Sequence, residues 1–233
     1  MDLRRTSLVI AFLLGGSMQV WGGFSGVPPT CASGSFNSYT QQTSCTVGIL
    51  SLYNFELYTL DASNNRTAAT TGLLNTITVD PVWSAGTGVM TMIIGGFTGL
   101  GVGPTETAGW LIRFTVDPPP VVAGEDVGFD PPFGPVYGHQ SYCPEGLFNT
   151  AGLCSSGTAP SASFNIGNPA FLSFTPALAI LDTLTSIRLN PNLDTAAGFD
   201  GVVFTVSTTP EPASWMLMPA ALAIAGWSKR RRR

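Results

Sequence analysis

Short runs of alternating residues dominate the middle of the chain. Trp110, Ile112, Phe114 and Val116 alternate with Leu111, Arg113 and Thr115, an apolar face opposite a mostly polar one. Asp117 and Pro118 to Pro120 end that strand, because proline fixes φ and removes a donor. Val202, Phe204 and Val206 repeat the pattern against Val203, Thr205 and Ser207, and Phe164 with Ile166 is a shorter copy. Further strands are expected over Val47 to Leu60, Thr76 to Val79, Val89 to Ile94, Phe171 to Phe174 and Thr185 to Leu189. The first of these is apolar on both faces, which fits one central strand or two strands with a break. Ala177 to Leu184 fits a helical turn or a strand. Helix signals are nearly absent. Asp61 to Thr71, Gly95 to Gly109, Pro118 to Pro135 and His139 to Pro160 read as loops. About eight short strands over residues 23–207 predict an all-β fold, a single β-sandwich of jelly-roll or Ig-like type. No internal repeat of fixed period argues for a solenoid or propeller.

Charge narrows the function. Residues 23–207 contain three basic side chains, Arg66, Arg113 and Arg188, and no lysine, and acidic residues outnumber them about four to one. Phosphate binding needs clustered positive charge, so a nucleic-acid partner is not expected. Cys31, Cys45, Cys143 and Cys154 fall in the same region. The simplest pairing is Cys31–Cys45 and Cys143–Cys154, and the sequence leaves the other two connectivities open. Disulfides imply an oxidising compartment. With no Cys-x-x-Cys and one histidine, His139, a thiolate metal site is not expected.

Both ends carry addressing features. Arg4 and Arg5 precede an apolar core, Leu8 to Leu14. Small residues then lead to a cleavage site near Val20-Trp21-Gly22, so residues 1–22 read as a signal peptide for the general secretory route. At the other end, Pro210-Glu211-Pro212 precedes an apolar segment, Ala213 to Trp227, and then Lys229 to Arg233. The segment is about 15 residues, short of the about 20 that usually span a bilayer, and Pro219 interrupts it. Trp215 and Trp227 are placed as interfacial anchors, and the basic block is expected to stay cytoplasmic. Residues 208–233 resemble the PEP-CTERM sorting signal of Gram-negative bacteria. The resemblance implies a membrane-anchoring helix over 213–227, processing by an exosortase near the Pro-Glu-Pro, and delivery outside the cytoplasm. It also implies a setting often rich in extracellular polysaccharide. The body is similar to a group of such exported proteins with an early Cys-x-x-Gly-x-Leu strand, here Cys45 to Leu50, whose function is itself unassigned.

Candidate chemistry is sparse. Gly95 to Gly103 lacks the Gly-Lys-Ser/Thr of a phosphate loop, and Pro104 stands where a dinucleotide motif needs its last glycine. No Gly-x-Ser-x-Gly elbow occurs, and a Ser-His-Asp triad would have to use His139. Glu125, Asp126 and Asp130 form a weak Ca²⁺ candidate, if a loop brings them together. Asn190, Asn192 and Asp194 begin like an EF-hand loop, but Gly201 replaces its last glutamate. No cofactor is expected otherwise. Trp83, Tyr137, Tyr142 and Tyr53, if exposed, would form a sugar-stacking platform. The leading expectation is an exported envelope or matrix protein without enzymatic activity. The alternative is a carbohydrate- or ice-binding module, and a hydrolase comes third. A flat threonine-rich sheet face would favour ice; an aromatic groove would favour sugar.

Overall fold

The computed structural model describes residues 29–103, 105–117, 122–165, 167–190 and 195–208, with the side chains of 122–127, 130–131 and 175–177 excepted. The signal peptide, the Pro210-Glu211-Pro212 motif, the apolar segment and the basic tail lie outside them. So do Ile166, Asn192 and Asp194.

The alternating runs become strands. In chain order the elements are β1 (Gly34–Ser35), α1 (Phe36–Gln41), β2 (Cys45–Val47), β3 (Leu50–Leu60), β4 (Arg66–Ala68), α2 (Thr71–Thr76), β5 (Thr78–Ser84) and β6 (Val89–Gly95). Then follow β7 (Ala108–Asp117), β8 (Val122–Phe133), β9 (Val136–Pro144), β10 (Ser161–Asn165), β11 (Ala170–Leu178), β12 (Leu181–Leu189) and β13 (Gly198–Thr208). A six-stranded sheet has the order β1-β5-β6-β13-β8-β11, and a seven-stranded sheet the order β10-β9-β12-β7-β3-β2, with β4 beside β3. The paired strands run antiparallel. The result is a β-sandwich.

The core lies between the sheets. Ile112, Phe114 and Val116 of β7 are fully buried, as are Val202, Phe204 and Val206 of β13. Phe114 meets Phe204 edge-on across the sandwich, with ring centroids 4.9 Å apart. These are the two apolar stripes expected from the alternation. The polar stripe of β7 behaves differently. Leu111 is buried on the outer face with Leu60, Leu184, Cys143 and Phe148, beneath the segment that follows β9.

The structure decides the open alternatives, for two strands with a break and for strand over helical turn, and corrects other expectations. Val47 to Leu60 is a hairpin, turned at Gly48 with φ +59°, whose second arm is β3. Cys45 to Leu50 is therefore strand, turn and strand rather than one strand. Ala177 to Leu184 holds the end of β11 and the start of β12. Pro118 to Pro135 contains β8, which pairs with β13 and β11, and His139 stands in β9 rather than in a loop. Strands outnumber the eight expected: β1, β2 and β4 are edge segments of two or three residues, and β8 and most of β9 fall in the stretches read as loops. Two six-residue helices were not anticipated; they are capped by Ser35 and Thr70, whose hydroxyls accept from Ser38 N–H and Leu73 N–H. Among the described residues no helix is long and apolar enough to cross a membrane.

Both sulfur pairs form as the simplest pairing has it. Cys31–Cys45 has its Cα atoms 5.0 Å apart and Cys143–Cys154 has them 5.2 Å apart. They belong to an oxidising environment.

Candidate functional site

One end of the sandwich carries a cleft of about 300 Å³, the low end of the about 300–1,000 Å³ typical of small-molecule sites. The loop after β6 forms one wall. Gly96 (φ +89°) and Gly99 (φ +91°) turn it, as left-handed positions that glycine takes without strain. It is fastened to the chain entering β13. Phe97 N–H donates to Asp200 O at 3.1 Å, and Val102 and Ala197 exchange backbone bonds of 2.9 and 3.1 Å. The floor is aromatic. Phe97 and Phe199 stack at 4.7 Å and are buried.

Phe133, at the end of β8, lines the same cleft and is 58% exposed. It lies beside two glycines. A Cβ at Gly198 would come within 2.6 Å of the Phe133 ring, and one at Gly101 within 3.6 Å. Glycine at these points leaves room for the ring to lie flat. At the rim the Thr98 hydroxyl donates to the Asp200 carboxylate, and both residues are exposed. The cleft therefore combines an apolar floor, an exposed phenyl ring and a solvated carboxylate held in place by a hydroxyl.

The residues singled out in the sequence are scattered. Tyr142 is fully buried and meets Phe174 edge-on at 5.8 Å, so it is no surface platform. Trp83 packs against the core under Gly48, where a Cβ would sit 2.2 Å from its ring. Tyr53 is half-buried, and burial, then Asp117 and Asp182, push its hydroxyl up to about 12. Tyr137 is 45% exposed, on the outer face of β9, the face opposite the one that buries Tyr142. His139 is exposed, its Nδ1 3.2 Å from the Ser163 hydroxyl.

Glu125, Asp126 and Asp130 stand on extended backbone. Their Cα partners on β13 are Val206, Thr205 and Gly201. At about 3.3 Å per residue the first and last are separated by roughly 16 Å of strand, so the compact acidic loop expected from the sequence is not what forms. Among the described residues no three His, Cys, Asp or Glu side chains gather as a metal site. Asn190 (φ +45°) ties loops together instead, its Nδ2 donating to Gly103 O and Glu106 O at 3.1 and 3.0 Å.

The strongest electrostatic cluster was not foreseen. Asp182 is fully buried and accepts from Arg113 Nη2 at 2.7 Å, Thr115 Oγ1 at 2.9 Å and Phe148 N–H at 2.7 Å. Arg113 Nη2 also donates to Phe148 O at 2.7 Å. Burial opposes the Arg113 charge, but the carboxylates of Asp182 and Glu56 outweigh it and hold the guanidinium above its usual range. Every partner of Asp182 is thus a structural one, and the cluster clamps the disulfide-closed segment onto the outer face.

The signal for the cleft was present only in pieces. Gly95 to Gly103 was legible as a glycine-rich loop, and Phe133 sits between Pro132 and Gly134, an aromatic among turn residues. No protein-family model matches the chain, and no curated protein matches it in sequence. Among solved structures it is similar in part to TmCBM61, determined in complex with β-1,4-galactotriose, at 8% identity over 49% of this chain and 69% of that one, with a TM-score of 0.31.

Proposed function

We propose that the chain is an exported β-sandwich without enzymatic activity, delivered to the cell envelope or extracellular matrix. In this reading residues 1–22 direct export, residues 208–233 are a PEP-CTERM sorting signal, and an exosortase processes the chain near Pro210-Glu211-Pro212. One observation carries the reading. β13 lies inside the six-stranded sheet and ends at Thr208, whose N–H and hydroxyl both donate to Gly88 O, at 2.9 and 2.8 Å. All the described strands therefore lie before the proline motif, and a cut at that motif leaves every one of them intact. The two disulfides agree with an oxidising destination. Cells expressing the full chain, a variant lacking Arg230 to Arg233, and a Pro210→Ala/Glu211→Ala/Pro212→Ala variant test it by fractionation and mass spectrometry. The full chain should lose its tail and leave the inner membrane, and the variants should not. Equal export and processing of all three would end the proposal.

A second reading, carbohydrate binding, is favoured by the cleft that Phe133 lines. Ice is less well served. The outer face of the six-stranded sheet has Val82, Thr91 and Thr205 in one cross-strand row and Ile93 with Val203 in the next, a face richer in valine and isoleucine than in threonine.

A further inference from the structure

We infer that the cleft between the Gly96–Gly103 loop and the start of β13 is a subsite for one neutral sugar ring of a polysaccharide, stacked on Phe133 and hydrogen-bonded by Asp200. The inference rests on the carbohydrate-binding reading and assigns that reading a place.

Three features select the ligand class. The first is the ring. A large side chain 58% exposed at a concave, glycine-lined site offers a flat apolar surface, and the buried, stacked Phe97 and Phe199 form the packed wall behind it. A ligand needs an apolar face to cover it. The second is Asp200. An apolar ligand, or an apolar peptide side chain, would press against this carboxylate without satisfying it, and an unpaired buried charge is costly. A ligand with hydroxyl donors around the edge of its apolar face satisfies both. The pyranose ring has that construction, with axial C–H groups on its faces and hydroxyls at its rim. Thr98 already donates to Asp200, so the carboxylate is oriented before a ligand arrives.

The third feature is charge. Acidic residues outnumber basic ones about four to one in residues 23–207. Arg113 is held by Asp182, Glu56 and Phe148, and Arg188 by Leu60 O, Asp61 O and Asn64. An acidic polysaccharide would find a carboxylate at the cleft and no arginine among its lining residues. The selected class is therefore a neutral glycan.

The test uses the full chain kept soluble in a polyoxyethylene detergent, because glycosidic detergents carry the ligand class itself and zwitterionic ones carry the quaternary ammonium of the choline comparison. Binding is measured by depletion on cellulose, β-1,3-glucan, β-1,4-galactan and mannan, on alginate as the anionic counterpart, and by titration with choline. The expected result is retention on at least one neutral glycan and none on alginate. Phe133→Ala and Asp200→Asn should each weaken retention tenfold or more. Gly198→Ala, which crowds the Phe133 ring, should weaken it as well. Phe171→Ala, on the outer face of β11, should leave it unchanged. Near-ultraviolet circular dichroism confirms that each variant folds. If the full chain binds a neutral glycan and the cleft variants bind equally well, the subsite is wrong and the carbohydrate reading stands. Loss through Tyr137→Ala instead would have the same meaning. If the folded chain binds none of the neutral glycans, the carbohydrate reading falls and the subsite with it. Binding of choline or alginate in place of neutral glycans would overturn the ligand class.

Discussion

The buried carboxylate of Asp182 grips the backbone N–H of Phe148 at 2.7 Å, while the guanidinium that neutralises Asp182 grips the carbonyl of the same residue. The backbone of a single residue is thus held on both sides of its Cα by one ion pair. Phe148 in turn covers Leu111 and Leu184, which would otherwise be wet on the outer face of the seven-stranded sheet. Asp182→Asn should therefore be severe. It leaves Arg113, whose side chain is 11% exposed, without its main counter-charge, and breaking one partner of a buried pair costs about 3–5 kcal/mol. Glu56→Gln, at the wetter side of the same arginine, should cost no more than about 1 kcal/mol. Urea unfolding of both variants separates the cases. Similar losses would mean that the clamp is not where the energy lies.

The two disulfides offer an internal comparison. They close segments of 14 and 11 residues, and the chain-entropy model makes each worth about 3 kcal/mol, with a difference of only about 0.2 kcal/mol between them. Native contacts break the tie. Cys143–Cys154 also holds Phe148 over the outer apolar cluster. Cys143→Ala/Cys154→Ala should lower the unfolding midpoint more than Cys31→Ala/Cys45→Ala. Equal midpoints would show that the entropic effect alone governs both.

The alternation of β7 and β13 was legible because each is a regular strand with one face on the core. What stayed hidden was non-local. β8 carries Pro131, Pro132, two glycines and three acids that weaken any local strand signal, and its pairing residues on both sides, in β13 and β11, lie more than 40 residues on. Leu111 looked like an exception on a polar stripe; its cover arrives from Phe148. The two helices are each six residues, too short for a 3.6-residue period to show. The cleft joins Thr98 to Asp200, 102 residues away, and no spacing rule reaches that far. The aromatic candidates failed for the same reason. Tyr142 and Trp83 are placed by neighbours on the opposite sheet, Phe174 and Gly48, not by their own sequence context.

Close approach of Gly138 and Phe164 makes a sharper packing test. A Cβ at Gly138 would lie 2.0 Å from the Phe164 ring, which is buried against Phe129. Gly138→Ala must push a core ring aside, and overpacking of this kind costs about 1–3 kcal/mol or more. Gly86, with nothing within 4 Å, provides the control; Gly86→Ala should change stability by no more than about 0.5 kcal/mol. Adding Phe164→Leu to Gly138→Ala should restore part of the loss by vacating the ring position. If the pair is as unstable as the sum of the single changes, the clash is not the cause.

Alkaline pH should destabilise the fold through a tyrosine of the first helix. Burial, followed by the nearby Asp80, pushes the Tyr39 hydroxyl up to about 12, and that hydroxyl donates to Ala32 O at 2.7 Å. In the unfolded chain the same group titrates near about 10. Between those values the unfolded state has lost its proton and the folded state has kept it. Stability is then fully present below about pH 10 and falls as pH rises toward about 12, by an amount on the order of 2–3 kcal/mol for a two-unit difference. Tyr39→Phe removes the titrating group. It should cost about 1 kcal/mol at neutral pH through the lost hydrogen bond, yet flatten the alkaline slope. Urea midpoints at pH 8, 10 and 11 for both proteins, with no free thiol among the described cysteines to exchange, measure that slope directly. An unchanged slope in Tyr39→Phe would assign the alkaline loss to another group, with Tyr53 next to be tested because it is pushed up in the same way.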